Sequence, residues 1–159
     1  MANTDLTTGG QGGSAGGERT WRTSGVLTSR LFAWLIDLVI IALWTVLLAI
    51  IVGVLGFLTF GLGWFLFALV VPASGIIYSM VTVGGSRQST IGMRMLGMRV
   101  VRADGGRVDA ITAGAHALFF YLAASTGLLW LADVVIGVID DRGRMGHDYL
   151  AGLVVVWND

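Results

Sequence analysis

The chain has 159 residues, 55% of them apolar and only 13% charged, and its ten acidic and ten basic side chains leave a formal net charge of zero. A soluble domain carries about 25% charged residues, so the balance excludes an ordinary water-soluble globule and points to an integral membrane protein with one membrane domain. Without cysteine there are no disulfides, thiolate chemistry or Cys-ligated metal centres, and two histidines, His116 and His147, are too few for a His-rich metal site.

Residues 1–26 are polar and rich in Gly and Ser, with Gly9, Gly10, Gly12, Gly13, Gly16 and Gly17 spaced among Ser and Thr. Such a segment cannot bury enough apolar surface to offset chain entropy and is expected to be a disordered cytoplasmic tail. A cleaved signal peptide is not expected. The first apolar run begins at Leu31, is too long for a signal core and carries a charge. Arg19, Arg22 and Arg30 would hold its start on the cytoplasmic side.

Two antiparallel spans are predicted, a helix over 30–53 and a helix over 62–83, joined by a turn at the cluster Gly53, Gly56, Gly61 and Gly63. Arg30 and Asp37 are seven residues apart, so they project from one helix face about 10 Å apart along the axis. An Asp within a span costs roughly 2.5–3.5 kcal/mol, so Asp37 must face protein or trapped water. It is a candidate ion or proton site, or a structural polar contact. In the second span Pro72 deprives the Ala68 carbonyl of its hydrogen bond, predicting a kink of the kind used for packing or for lining a transport site.

The segment 84–115 carries Arg87, Arg94, Arg99, Arg102 and Arg107, which place it in the cytoplasm. Ser89 or Thr90 can cap a short surface helix with Ile91, Met95 and Met98 on one side. Met98 to Arg102 reads as a strand, followed by an Asp104-Gly105-Gly106 turn. A neutral chain with no aromatic platform among these arginines excludes nucleic acid as a partner. The apolar segment 116–140, which contains Asp133, fits either one span or a re-entrant hairpin. Arg142 and Arg144 directly after it favour the hairpin, as does a strand at 153–157 that needs the 98–102 strand as its partner. The C-terminus is then cytoplasmic. The predicted fold is all-α, with two transmembrane helices, a third apolar segment and a small cytoplasmic β pairing.

Arg30 with Asp37, the stretch from Gln88 to Val101, Asp104-Gly105 and the stretch from His147 to Val155 together resemble the RDD family of membrane proteins over about 27–157. The family is named for one Arg and two Asp, which fall here on Arg30, Asp37 and Asp148. The resemblance implies a small multispan protein of the plasma membrane, with transport suspected and sodium/proton antiport proposed for some members. Met93, His116 and Leu153 depart from the family pattern, where a basic residue, an Arg and a Thr are usual.

These readings make Arg30, Asp37, Asp133 and Asp148 candidates for ion binding, with Arg94, Arg99, His147 and Pro72 in support. Asp148 is expected to pair with Arg94 or Arg99 and so dock the tail. Asp133 lies seven residues inside Asp140 as Asp37 lies inside Arg30, so in a hairpin the two carboxylates reach matching depth and could share a proton or cation. One His-Asp pair cannot fill a metal's coordination sphere, and no nucleophile, base and orienting group come together, so neither enzyme, cofactor nor metal is expected. Cation- or proton-coupled transport is the leading expectation, with a monovalent cation or proton as cargo. Its rival is a scaffold or accessory subunit whose Arg and Asp are structural. Three apolar segments hardly enclose a pathway, so transport implies a homo-oligomer or a membrane complex.

Overall fold

A computed structural model of the chain describes residues 21–158. Most of the expected tail, residues 1–20, lies outside that range. Its end does not behave as a tail. Trp157 N–H and its indole Nε1 donate to the carbonyls of Arg22 and Ser24, at 3.1 and 3.0 Å, and Val26 is fully buried. Backbone pairing to a distant strand orders this stretch, which composition alone cannot signal.

Helix α1 runs Val26–Leu58, 33 residues and about 50 Å, well beyond the roughly 30 Å of a bilayer core. It exceeds the predicted 30–53 at both ends. Gly53 and Gly56 lie within it, and a Cβ at Gly56 would overlap the Trp64 ring, so that glycine serves close approach. The turn itself is made by Gly61, at φ 98°, and leads into a 3-10 turn at Leu62–Leu66 and then helix α2, Phe67–Thr82. Pro72 sits inside α2, which continues through it, and the Ser74 hydroxyl donates to the Val70 carbonyl at 2.6 Å. Both long apolar stretches, Val26–Leu58 and Leu62–Thr82, are long and apolar enough to cross a membrane.

Helix α3, Ile91–Met95, begins at Thr90, whose hydroxyl accepts from Met93 N–H at 3.1 Å. It stops before Met98, which belongs instead to strand β1, Met98–Arg102, and is fully buried. The apolar segment 116–140 resolves into two helices, α4 at Ala110–Ala124 and α5 at Gly127–Ile139. At about 22 and 20 Å each falls short of a bilayer core. Their contacts make a hairpin. α4 packs antiparallel to α2, with Gly114 against Met80 near the polar end and Gly75 against Tyr121 deeper in, and α5 returns until Gly137 lies against Leu27 at the start of α1. Both ends of the α4–α5 unit therefore meet the same end of the bundle. There helix α6, Gly146–Ala151, and strand β2, Leu153–Trp157, complete the chain.

Strands β1 and β2 pair antiparallel, Met98 opposite Trp157 through Arg102 opposite Leu153. One face of the pair, Met98, Val100, Leu153 and Val155, joins Val26, Ala33, Val83, Val108 and Ala113 in the main core. That core sits at the polar end. Along the long helices the apolar side chains are largely exposed, as lipid-facing residues are.

Candidate functional site

Over the first part of α1 the buried residues Val26, Arg30, Ala33 and Asp37 recur at spacings of four, three and four, forming one inward stripe. Two of the four are charged, and each meets a separate set of partners.

Arg30 reaches Asp148, 118 positions away, through both guanidinium Nη atoms: Nη1 to Oδ2 and Nη2 to Oδ1, the latter at 2.9 Å. Nη1 also donates to the Gly143 carbonyl at 3.0 Å. Asp148 has no exposed surface and Arg30 is 7% exposed. The expected partners Arg94 and Arg99 are not the ones used. α6 docks on α4 and α5 rather than on β1, which brings Asp148 beneath the buried Arg30. Arg94 Nη2 instead touches the Ser89 carbonyl at 3.4 Å, and the Nε atoms of Arg94 and Arg99 are buried without a hydrogen-bond partner.

The same carboxylate gathers the two histidines. His116 Nε2 lies 2.8 Å from Asp148 Oδ1, and His147 Nε2 lies 3.6 Å from that oxygen. The two rings stand 4.7 Å apart between centroids. Behind His147, Asp133 on α5 accepts the His147 backbone N–H on Oδ1 at 2.8 Å and contacts ring Nδ1 with Oδ2 at 2.7 Å. That second contact places the proton on Nδ1 and leaves the Nε2 lone pair facing Asp148. Met145 N–H donates to Asp148 Oδ2 at 2.9 Å, closing the turn that presents both residues. Burial raises the Asp148 carboxyl's pKa, but Arg30 and His116 together hold it well below the usual carboxylate range. Burial pushes the His147 imidazole down, against the pull of Asp148 and Asp133.

Asp37 has neutral partners. Its Oδ1 accepts the Tyr78 hydroxyl at 2.6 Å and the Gly92 N–H at 2.8 Å, and Tyr78 oxygen in turn accepts Ile91 N–H at 3.0 Å. The carboxylate thus ties α1 to α2 and to the first turn of α3. Asp133 and Asp37, expected to share a proton or cation, are engaged in these two separate networks, one at the α5–α6 corner and one at α3. Pro72 lies six residues before Tyr78 on α2.

His116, Tyr78, Gly92 N–H and the Gly143 carbonyl were outside the candidate site residues read from the sequence. Only His116 leaves a trace there, as the one histidine in a mostly apolar α4. His116, His147 and Asp148 present three ligand atoms within 4.8 Å of one another, so folding assembles a donor cluster that spacing along the chain does not show.

The family model described as RDD family matches residues 25–152. No curated protein and no solved structure matches the chain.

Proposed function

The chain belongs to the RDD family and is a mostly helical membrane protein, and from that premise we propose that it is a non-enzymatic, multi-pass protein of the plasma membrane that moves a cation by way of the buried cluster at Arg30, His116, Asp133, His147 and Asp148. One observation carries this reading. With neutral imidazoles the cluster holds one positive charge, Arg30, against two negative ones, Asp133 and Asp148, and the three charged groups are at most 7% exposed. A buried net charge of −1 is costly unless a bound cation, or a proton on one of the imidazoles, completes it. The α4–α5 hairpin supports the same reading: neither arm is long enough to cross, and a re-entrant unit would hold this polar cluster below the membrane surface. The N-terminus and the arginine-rich 84–109 segment are then cytoplasmic. A chain with two long spans and one hairpin encloses no pathway alone, so the working form is a homo-oligomer or a membrane complex.

Cation flux into proteoliposomes containing purified protein tests the proposal. Wild type should conduct, and Asp133→Asn, which keeps the Arg30–Asp148 pair, should abolish flux while the protein stays folded. Absence of flux in wild type, or equal flux in the variant, overturns it. The scaffold reading has its own support in the bonds from Arg30 to Asp148 and Gly143, which fasten the start of α1 to the last helix. It expects Asp133→Asn to lower thermal stability with no flux to lose.

A further inference from the structure

We propose that His116, His147 and Asp148 form a binding site for a divalent transition metal of the zinc class, with Asp133 as the carboxylate that orients His147 from behind. The inference rests on the reading of this cluster as a cation site and names the cation. Two of the three donors are imidazole nitrogens, whereas sodium, potassium, magnesium and calcium are held by oxygens, and imidazole suits zinc, copper, iron and nickel.

The geometry is close to what such an ion needs. Ligand atoms about 2.0–2.1 Å from a tetrahedral ion are separated by about 3.3 Å. The His116 Nε2–Asp148 Oδ1 and His147 Nε2–Asp148 Oδ1 separations are 2.8 and 3.6 Å, and the three residues each offer a ligand atom within 4.8 Å of the other two. Shifts of about half an ångström to an ångström and a half would close the site. His116 offers its Nε2 lone pair once its proton is carried on Nδ1, and His147 already turns an Nε2 lone pair toward Asp148 because Asp133 holds Nδ1–H. A carboxylate on the far nitrogen of a ligating histidine fixes its tautomer and raises its basicity, and such outer groups are regular parts of metal sites.

Arg30 does not occupy the same space on both sides of the carboxylate. It can keep Oδ2 while the metal takes Oδ1, exchanging only its 2.9 Å bond from Nη2. A dication carries the cluster from −1 to +1, and a hydroxide as fourth ligand returns it to neutrality, since zinc lowers the pKa of bound water to about 7.

The test uses the full chain in detergent, purified without a polyhistidine tag, titrated with Zn2+ by calorimetry and with Co2+ by visible absorption. We expect one metal per chain and the ligand-field bands of a four- or five-coordinate Co2+ with nitrogen donors. His147→Gln and His116→Gln should each weaken binding by at least about 100-fold, and Asp133→Asn by about 10- to 100-fold. The Gln side chain can still donate to Asp148, and thermal melting without metal shows that each variant is folded. Absence of Zn2+ and Co2+ binding by folded wild type, or binding unchanged by His116→Gln, overturns the proposal. Flux of Na+ or K+ by a protein that binds no Zn2+ would sink the metal site and leave the cation reading standing. Metal binding without flux of any cation would keep the site and sink the transport reading.

Discussion

The Arg30–Asp148 pair is the most deeply buried arginine–carboxylate contact among the described residues, with Asp148 wholly inaccessible. Removing one partner strands the other, so Arg30→Ala should cost about 3–5 kcal/mol, while Arg30→Met with Asp148→Leu should recover much of it because both charges of the contact are removed together. Chemical denaturation in detergent measures both. Asp37 asks for a subtler change. An amide oxygen can still accept from Gly92 N–H and Tyr78, so Asp37→Asn should alter stability by less than about 1 kcal/mol, whereas Asp37→Ala leaves both donors bare and should cost about 1–3 kcal/mol. At the α5–α6 corner, burial works against ionising Asp140, yet the Arg144 guanidinium, the Tyr149 hydroxyl and the Arg144 N–H hold its pKa at about 2, below the ordinary 3.8. A depressed carboxylate stabilises the fold above its ordinary pKa and loses that contribution as pH falls through the folded value. The protection factor of the Arg144 amide, its exchange corrected for the intrinsic pH dependence, should therefore fall from pH 3.8 toward 2, and Asp140→Asn should remove that fall. Asp37 was legible in the sequence because a carboxylate amid apolar residues must have a partner. Its partner was not, because Tyr78 lies 41 positions away and nothing local marks it.

Among the elements, α3 shows how little freedom the polar end retains. A Cβ at Gly92 would overlap the Ala33 backbone carbonyl, and neither α1 nor α3 can yield without breaking the Gly92–Asp37 bond. Gly92→Ala should lower the melting temperature more than Gly75→Ala, where the obstacle is the movable end of the Tyr121 side chain. The β1–β2 pairing was readable, since a Val-rich strand at 153–157 had one suitable partner, and the antiparallel register joins those two segments. The Gly-based turn was misplaced because glycine has two uses here. At Gly61 it provides a left-handed backbone, and at Gly56 it gives room for Trp64. Composition does not distinguish them. The two arms meet at Ser125-Thr126, polar residues in an apolar run, and the contacts of α4 with α2 and of Gly137 with Leu27 at the start of α1 supply what length could not.

For the whole molecule, the hairpin makes a topological forecast. Single cysteines at 105, 141 and 158 should react with an impermeant reagent only from the cytoplasmic side, and one at 60 only from outside. Labelling of 141 from outside intact cells would mean that 116–140 crosses the bilayer. The pairing of Arg30 with Asp148 also sets an order of events in time. Arg30 is synthesised 118 residues before its counterion, and at about 5–20 residues per second that is an interval of roughly 6–24 s. Until α6 emerges, α1 must keep its guanidinium at the lipid headgroups, at the cost of about 2.5–3.5 kcal/mol if it is drawn to mid-membrane. The first helix can therefore insert early but cannot reach its final depth until α6 has been made, so the bundle locks at its polar end last, and a chain arrested before residue 148 would expose an unmatched arginine to cellular quality control.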